Sequence, residues 1–136
     1  MTTYLFDSSS IVNLIKKGSI KPFAKGVTIS LAFYECLNAV WKEYRLLRRI
    51  DRETAWGFIE VIGEVLKVIE ATSVKGLEKE IFNLAFEENL TVYDASYICA
   101  AIKNKFILVT DDRKLGEKAA KHVKVVTTEE LTATYT

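Results

Sequence analysis

Short apolar runs alternate along this chain with longer stretches in which apolar residues recur every three or four positions. The first run, Tyr4-Leu5-Phe6, marks a strand over about residues 3–7. A short helix from Ser8 to Lys17 follows and is closed by Gly18, and residues 19–28, with the only proline (Pro22), read as a connector. A long helix is predicted over 30–49, where Leu37, Val40, Trp41, Tyr44 and Leu47 fall at helical spacing. Asp51 suits the N-cap of the next helix, whose stripe is Ala55, Phe58, Ile59, Ile62, Val65, Leu66 and Ile69. Val68 to Ala71 then reads as a short strand, and residues 75–88 as a helix ending near Asn89, which tolerates the left-handed conformation. Thr91-Val92-Tyr93 is another apolar run, before a helix over 94–103 punctuated by Asn104. Phe106 to Val109 is continuously apolar, as expected of a central strand covered on both faces. A helix from Asp112 to Lys121 and a strand around Val123 to Val126 complete the core. Strands alternating with helices predict an α/β fold built on a doubly wound parallel sheet. The threonine-rich tail, Thr127 to Thr136, suits either a frayed end or a segment exchanged with another copy.

Composition narrows the picture. The 136 residues suffice for one domain, and 49% hydrophobic content with a mean hydropathy of +0.10 excludes a disordered chain. A net charge of +1 provides no global attraction to nucleic acid, so any such contact must use a local basic patch. Met1-Thr2-Thr3 leads straight into the first strand without a leader pattern, and Glu60, Glu64 and Lys67 interrupt the longest apolar stretch, so a soluble cytoplasmic protein is expected. Cys36 and Cys99 lack metal-site spacing and sit within helical patterns, which suits buried small hydrophobes. His122, the only histidine, is far from the acids and near a helix end, which excludes catalytic triads and paired-histidine chemistry. No glycine-rich phosphate loop is present.

Four acids carry the candidate chemistry. Asp7, Asp94 and Asp112 each stand where an apolar run gives way to a helical pattern, and Glu35 lies early in the long helix. In a parallel sheet those switches gather at the carboxyl edge, where active sites form. Carboxylates crowded there repel one another unless a cation sits among them, and oxygen-only ligands favour Mg2+ or Mn2+. Each aspartate also suits an N-cap, although Ser8 to Ser10 could cap the first helix and Thr110 or Asp111 the sixth predicted one. A phosphoacceptor receiver domain would want its paired acids after the first strand, whereas the pair Asp111-Asp112 comes late.

The chain resembles the PIN domain, and within it the small VapC-type toxin ribonucleases. The matching segments are Leu5-Phe6-Asp7-Ser8-Ser9, Tyr34-Glu35-Cys36-Leu37-Asn38, Tyr93-Asp94-Ala95 and Leu108-Val109-Thr110-Asp111-Asp112-Arg113-Lys114-Leu115. The resemblance spans nearly the whole chain. It implies a three-layer α/β/α fold with a four- or five-stranded parallel sheet, and an endoribonuclease using Mg2+ or Mn2+. By it, Asp7, Glu35, Asp94 and Asp112 form the catalytic acid set. Asp7, Asp94 and Asp112 ligate metal, the last directly or through water, while Glu35 ligates or positions the water. Ser9 and Thr110 match supporting polar positions, and the family spacing selects Asp112 over its neighbour Asp111. The resemblance further implies 5′-phosphate and 3′-hydroxyl products, a homodimer and a VapB-like antitoxin partner. An RNA-processing or DNA-structure nuclease on the same fold, or a silent binding module, are the competing readings.

Beyond the acids, Asn38, Lys42, Arg45 and Arg49 continue from Glu35 at helical spacing, either as a track for an RNA backbone or as an ordinary solvated face. In the next helix Trp56, Val61 and Val68 exceed one buried stripe, which suits a subunit interface or a helix packed on two sides.

Overall fold

The computed structural model describes residues 2–135; Met1 and Thr136, the last residue of the threonine-rich tail, lie outside the described residues. Five short strands form one parallel sheet: β1 (Tyr4–Phe6), β2 (Gly26–Thr28), β3 (Glu70–Ala71), β4 (Ile107–Val109) and β5 (Val125–Val126), in the order β3-β2-β1-β4-β5. The chain builds outward from β1 in one direction through β2 and β3, then returns to place β4 on β1's other side. Strand order therefore reverses between β1 and β4, and the carboxyl ends flanking such a switch point form a crevice.

Alternation within the strands explains the layers. Phe6 and Val109 point to one face, where they join Ile11, Leu14, Val40, Ala55 and Ile62 from α1 (Ser8–Lys16), α2 (Leu31–Trp41) and α3 (Arg52–Val68), with Leu131 of α7 (Thr128–Ala133). Leu5 and Leu108 point to the other, against Leu84, Ile98 and Leu115 from α4 (Glu78–Glu88), α5 (Val92–Asn104) and α6 (Arg113–Ala119). The sheet is thus covered on both faces, as the apolar run at β4 requires. Gly26 is fixed by close approach: a Cβ there would stand 2.5 Å from the Phe6 ring.

Several sequence expectations need correction. The connector over 19–28 holds a 3-10 turn (Lys21–Lys25) and the whole of β2, a strand too short to show periodicity. Thr91-Val92-Tyr93 is the start of α5, because the Thr91 hydroxyl caps the helix by accepting the Asp94 N–H at 3.1 Å. The left-handed residue closing α5 is Lys105 (φ 57°), one beyond Asn104. The tail forms α7, closed at its start by a capping box between Thr127 and Glu130.

The predicted long helix ends early. Beyond Trp41 a π-turn (Lys42–Leu46) widens the spiral, and Arg48 adopts the left-handed conformation (φ 49°) before the chain turns away. Its buried side is Ala32, Cys36 and Val40, whereas Trp41 and Leu47 are about half exposed. Lys42, Arg45 and Arg49 are all exposed; Lys42 and Arg45 lie in the widened turn, and Arg49 follows the left-handed Arg48, beyond the helix that carries Glu35 and Asn38.

Candidate active site

Asp7 leaves β1 at the switch point and enters α1 as its N-cap: Oδ1 accepts the Ser10 N–H at 2.9 Å. The Ser9 hydroxyl reaches both carboxylate oxygens, at 2.8 and 3.0 Å, and the Thr110 hydroxyl donates to Oδ2. Thr110 follows β4, which pairs with β1 through Phe6 and Val109, so strand register delivers it to Asp7. Asp7 is only 3% exposed. Burial pushes its pKa up to about 6, against the opposing pull of the Thr110, Ser10 and Ser9 hydrogen bonds.

Asp112 is likewise a cap, accepting the Leu115 N–H of α6 at 3.1 Å, and its own N–H bonds Thr110 Oγ1 at 3.0 Å. The alternative caps among Ser8 to Ser10, Thr110 and Asp111 are not used. Glu35 projects from α2, where its Oε1 accepts the hydroxyl of Tyr97 at 2.8 Å. Tyr97 is 1% exposed, and burial followed by the Glu35 charge drives its phenol far above the ordinary range, so it stays a donor. Asp94 stands half-buried in the first turn of α5, within a helix and not at a strand end. Burial raises its carboxyl, and the negative charges of Asp112 and Glu35 raise it further; Lys114 acts in the opposite sense.

Two clusters therefore meet at this edge. Asp7, Ser9 and Thr110 form a buried hydrogen-bonded group, while Asp94, Asp112 and Glu35 share one electric field. Among the described residues no group of three or more Asp, Glu, His or Cys side chains is arranged to hold a metal ion. Both oxygens of Asp94, Asp112 Oδ2 and Glu35 Oε2 have no hydrogen-bond partner among the described residues. Cys36, beside Glu35, is pushed up to about 12 by burial and then by Asp7 and Glu35, which removes thiolate chemistry.

Asp111 is neither a cap nor part of the acid field. Its oxygens accept the Thr128 N–H at 2.8 Å, the Thr128 hydroxyl at 2.6 Å and the Asn13 amide at 2.7 Å, fastening α7 and α1 to the edge. Burial raises this carboxyl, but those bonds and Lys17 outweigh it and leave it below the ordinary range. His122 pairs with Glu88 at 2.8 Å, away from the acids. Two residues with roles here escaped the sequence reading: Tyr97, recognisable only as a large polar-tipped ring among small buried neighbours, and Lys114, whose proximity to Asp94 is a tertiary fact.

The chain is similar to known proteins over most of its length. Exonuclease VapC9 of Pyrobaculum aerophilum is 35% identical over 126 residues, covering 91% of this chain and 91% of that protein. Ribonuclease VapC3 of the same organism is 39% identical over 93 residues, covering 67% of this chain and 69% of its own length. The crystal structure of PAE2754 from P. aerophilum matches with a TM-score of 0.80 and 33% identity, over 98% of this chain and 96% of that one. No family model matches the chain. A five-stranded parallel sheet of this order, the acids at its rim and 35% identity over 91% of the chain lead to one assignment: the chain belongs to the VapC family of PIN-domain nucleases.

Proposed function

We propose that this protein is a Mg2+- or Mn2+-dependent endoribonuclease, the toxin of a toxin–antitoxin pair, working through Asp7, Glu35, Asp94 and Asp112. The observation that carries this reading is that Asp94, Asp112 and Glu35 present carboxylate oxygens without partners among the described residues at the rim beside Asp7, close enough that Asp112 and Glu35 add to burial in raising the Asp94 carboxyl. A fold gains nothing from that repulsion, whereas a divalent cation relieves it.

The donor types suit such an ion, although no three of the carboxylates among the described residues are arranged around one point, so the side chains would have to close on it. Every candidate ligand is a carboxylate oxygen, and four of those oxygens are free of protein partners among the described residues. Asp7 can open a position too: the single Ser9 proton can serve only one oxygen at a time, and committing it to Oδ1 frees a lone pair on Oδ2. Asp7, Asp94 and Asp112 would hold the metal, with Glu35 as a further ligand or as the group that positions water. When bound, the ion acidifies a water and stabilises negative charge on the attacked phosphate.

The protein's own side chains do the rest. Ser9 and Thr110 hold the Asp7 carboxylate in one orientation, and Tyr97 fixes Glu35 through Oε1, leaving Oε2 to orient a water or accept its proton. Lys114 is the cation that acts on Asp94 and is suited to a phosphate oxygen arriving there. Lys42, Arg45 and Arg49 lie further off and are available to the RNA backbone individually, not as one track. The half-exposed Trp56 and the exposed Val61 and Val68 of α3 suit contact with a second copy or a VapB-like antitoxin. A cytoplasmic setting follows from that partnership; among the described residues no helix is long and apolar enough to cross a membrane.

The names of the relatives favour a nuclease, and one of them, exonuclease, supplies a second reading in which cleavage starts from an end. Purified protein is therefore offered linear and circularised forms of one RNA, in Mn2+, Mg2+ and EDTA. Cleavage of both forms with 5′-phosphate products, lost in EDTA and in Asp94→Asn, is the expected result. Cleavage of the linear form alone would select the exonuclease, and activity persisting in EDTA would exclude the metal mechanism.

A further inference from the structure

Beside the acids, Leu31, Tyr34, Glu35, Asn38 and Tyr93 line an open cleft of about 530 Å3. Tyr34 and Tyr93 are 69% and 58% exposed, and neither hydroxyl has a hydrogen-bond partner among the described residues. The fold does not require them. The buried side of α2 is Ala32, Cys36 and Val40, and that of α5 is formed by Ala95 and residues 97–101. Each tyrosine directly precedes an acid, Glu35 on α2 and Asp94 on α5, so the two helices that deliver the carboxylates also deliver the rings. Phe33 meets Tyr34 edge-on with centroids 5.2 Å apart, which braces that ring.

We propose that this cleft receives one unpaired nucleobase of a single-stranded RNA, the base next to the cleaved phosphate, stacked on Tyr34 and Tyr93. The proposal rests on the ribonuclease reading above and adds to it two positioning residues and the base that they hold. Glu35 in the cleft wall repels a phosphate but not a neutral base, so charge sorts the strand: base toward the tyrosines, backbone toward Lys114. Aromatic platforms bind any base by its face, and Asn38 adds an amide that can donate to and accept from a base edge. A base within a duplex cannot enter, because its faces are already stacked and its edge paired.

The test uses the intact protein and short RNAs in which each nucleotide in turn is made abasic. In the wild type, one abasic position beside the cleaved bond raises KM roughly tenfold, the factor expected for one lost stacking interaction. Tyr34→Leu and Tyr93→Leu raise KM on intact RNA similarly, leave kcat within about twofold, and lose the extra penalty of the abasic position. Tyr34→Phe and Tyr93→Phe recover the wild-type KM, since the ring and not the hydroxyl binds. Wild-type KM in the Leu variants, or penalties that simply add, would overturn the proposal. So would Leu variants with unchanged KM that lose only self-association in sedimentation, which would make the cleft a protein interface. If the wild type cleaves no RNA in any metal, the ribonuclease reading fails. Fluorescence polarisation of labelled single-stranded RNA then judges the cleft alone: it stands if the Leu variants bind about tenfold more weakly, and falls if they bind like the wild type.

Discussion

Asp7 is asked to do two things that oppose each other. It caps α1 and anchors the Ser9–Thr110 group, yet its charge is almost fully buried. Its folded pKa of about 6 lies above the ordinary 3.8, so the folded state retains a proton that the unfolded chain releases. The sign follows: this group lowers stability progressively from about pH 4 to about pH 6, and the whole penalty, on the order of 2–3 kcal/mol, persists above that. In EDTA, Asp7→Asn should therefore melt at or above the wild-type temperature at pH 7.5 and show a smaller fall in stability between pH 4 and pH 6. Thermal unfolding across that range checks it, and equal falls in both proteins would mean the buried charge is not the cause. The same variant should be inactive on RNA. The positions of Asp7 and Asp112 were readable in the sequence because residue type and a strand-to-helix switch coincide there, whereas the run before Asp94 is the first turn of α5 and only looked like a strand. Tyr97 was not readable, because a tyrosine that holds a carboxylate looks the same in sequence as one that fills a core.

Elements were readable in proportion to their length. The stripes of α1 and α3 and the apolar run of β4 are long enough to show a period, but Gly26-Val27-Thr28 is a strand only because β1 lies beside it. The π-turn after α2 had no signal, since Arg48 supplies a left-handed φ that Gly or Asn ordinarily marks. Lys105 is a similar case and can be improved. Lys105→Gly should stabilise the protein by up to about 1 kcal/mol, because a non-glycine residue pays sterically in that conformation. A denaturant midpoint that falls would show that the lysine earns its place through a contact. The tail became a helix through tertiary bonds: Asp111 ties Thr128 to Asn13, and the capping box does the rest. Asp111→Ala should cost about 1–3 kcal/mol, as expected when buried donors lose a charged acceptor, and should loosen α7 first. Hydrogen exchange would show early loss of protection at residues 128–133; unchanged protection there would place the α7 anchor elsewhere.

At the scale of the molecule, strand order explains why residues distant in sequence share an edge. Placing β4 against β1 brings Thr110 and Asp112 to Asp7, while α2 and α5, packed on opposite faces of the sheet, bring Glu35 and Asp94 to the same rim. Alternating periodicity was enough to infer a parallel sheet, but not its order, which depends on pairing between segments a hundred residues apart. Under the proposed function this rim binds a divalent cation through Asp7, Asp94 and Asp112. Crystals grown with Mn2+ and measured at the manganese absorption edge test it most directly. An anomalous peak bounded by these three carboxylates in the wild type, and absent from Asp94→Asn crystals grown identically, is the expected result. A peak elsewhere, or one that survives the substitution undiminished, would contradict the metal site and the mechanism built on it.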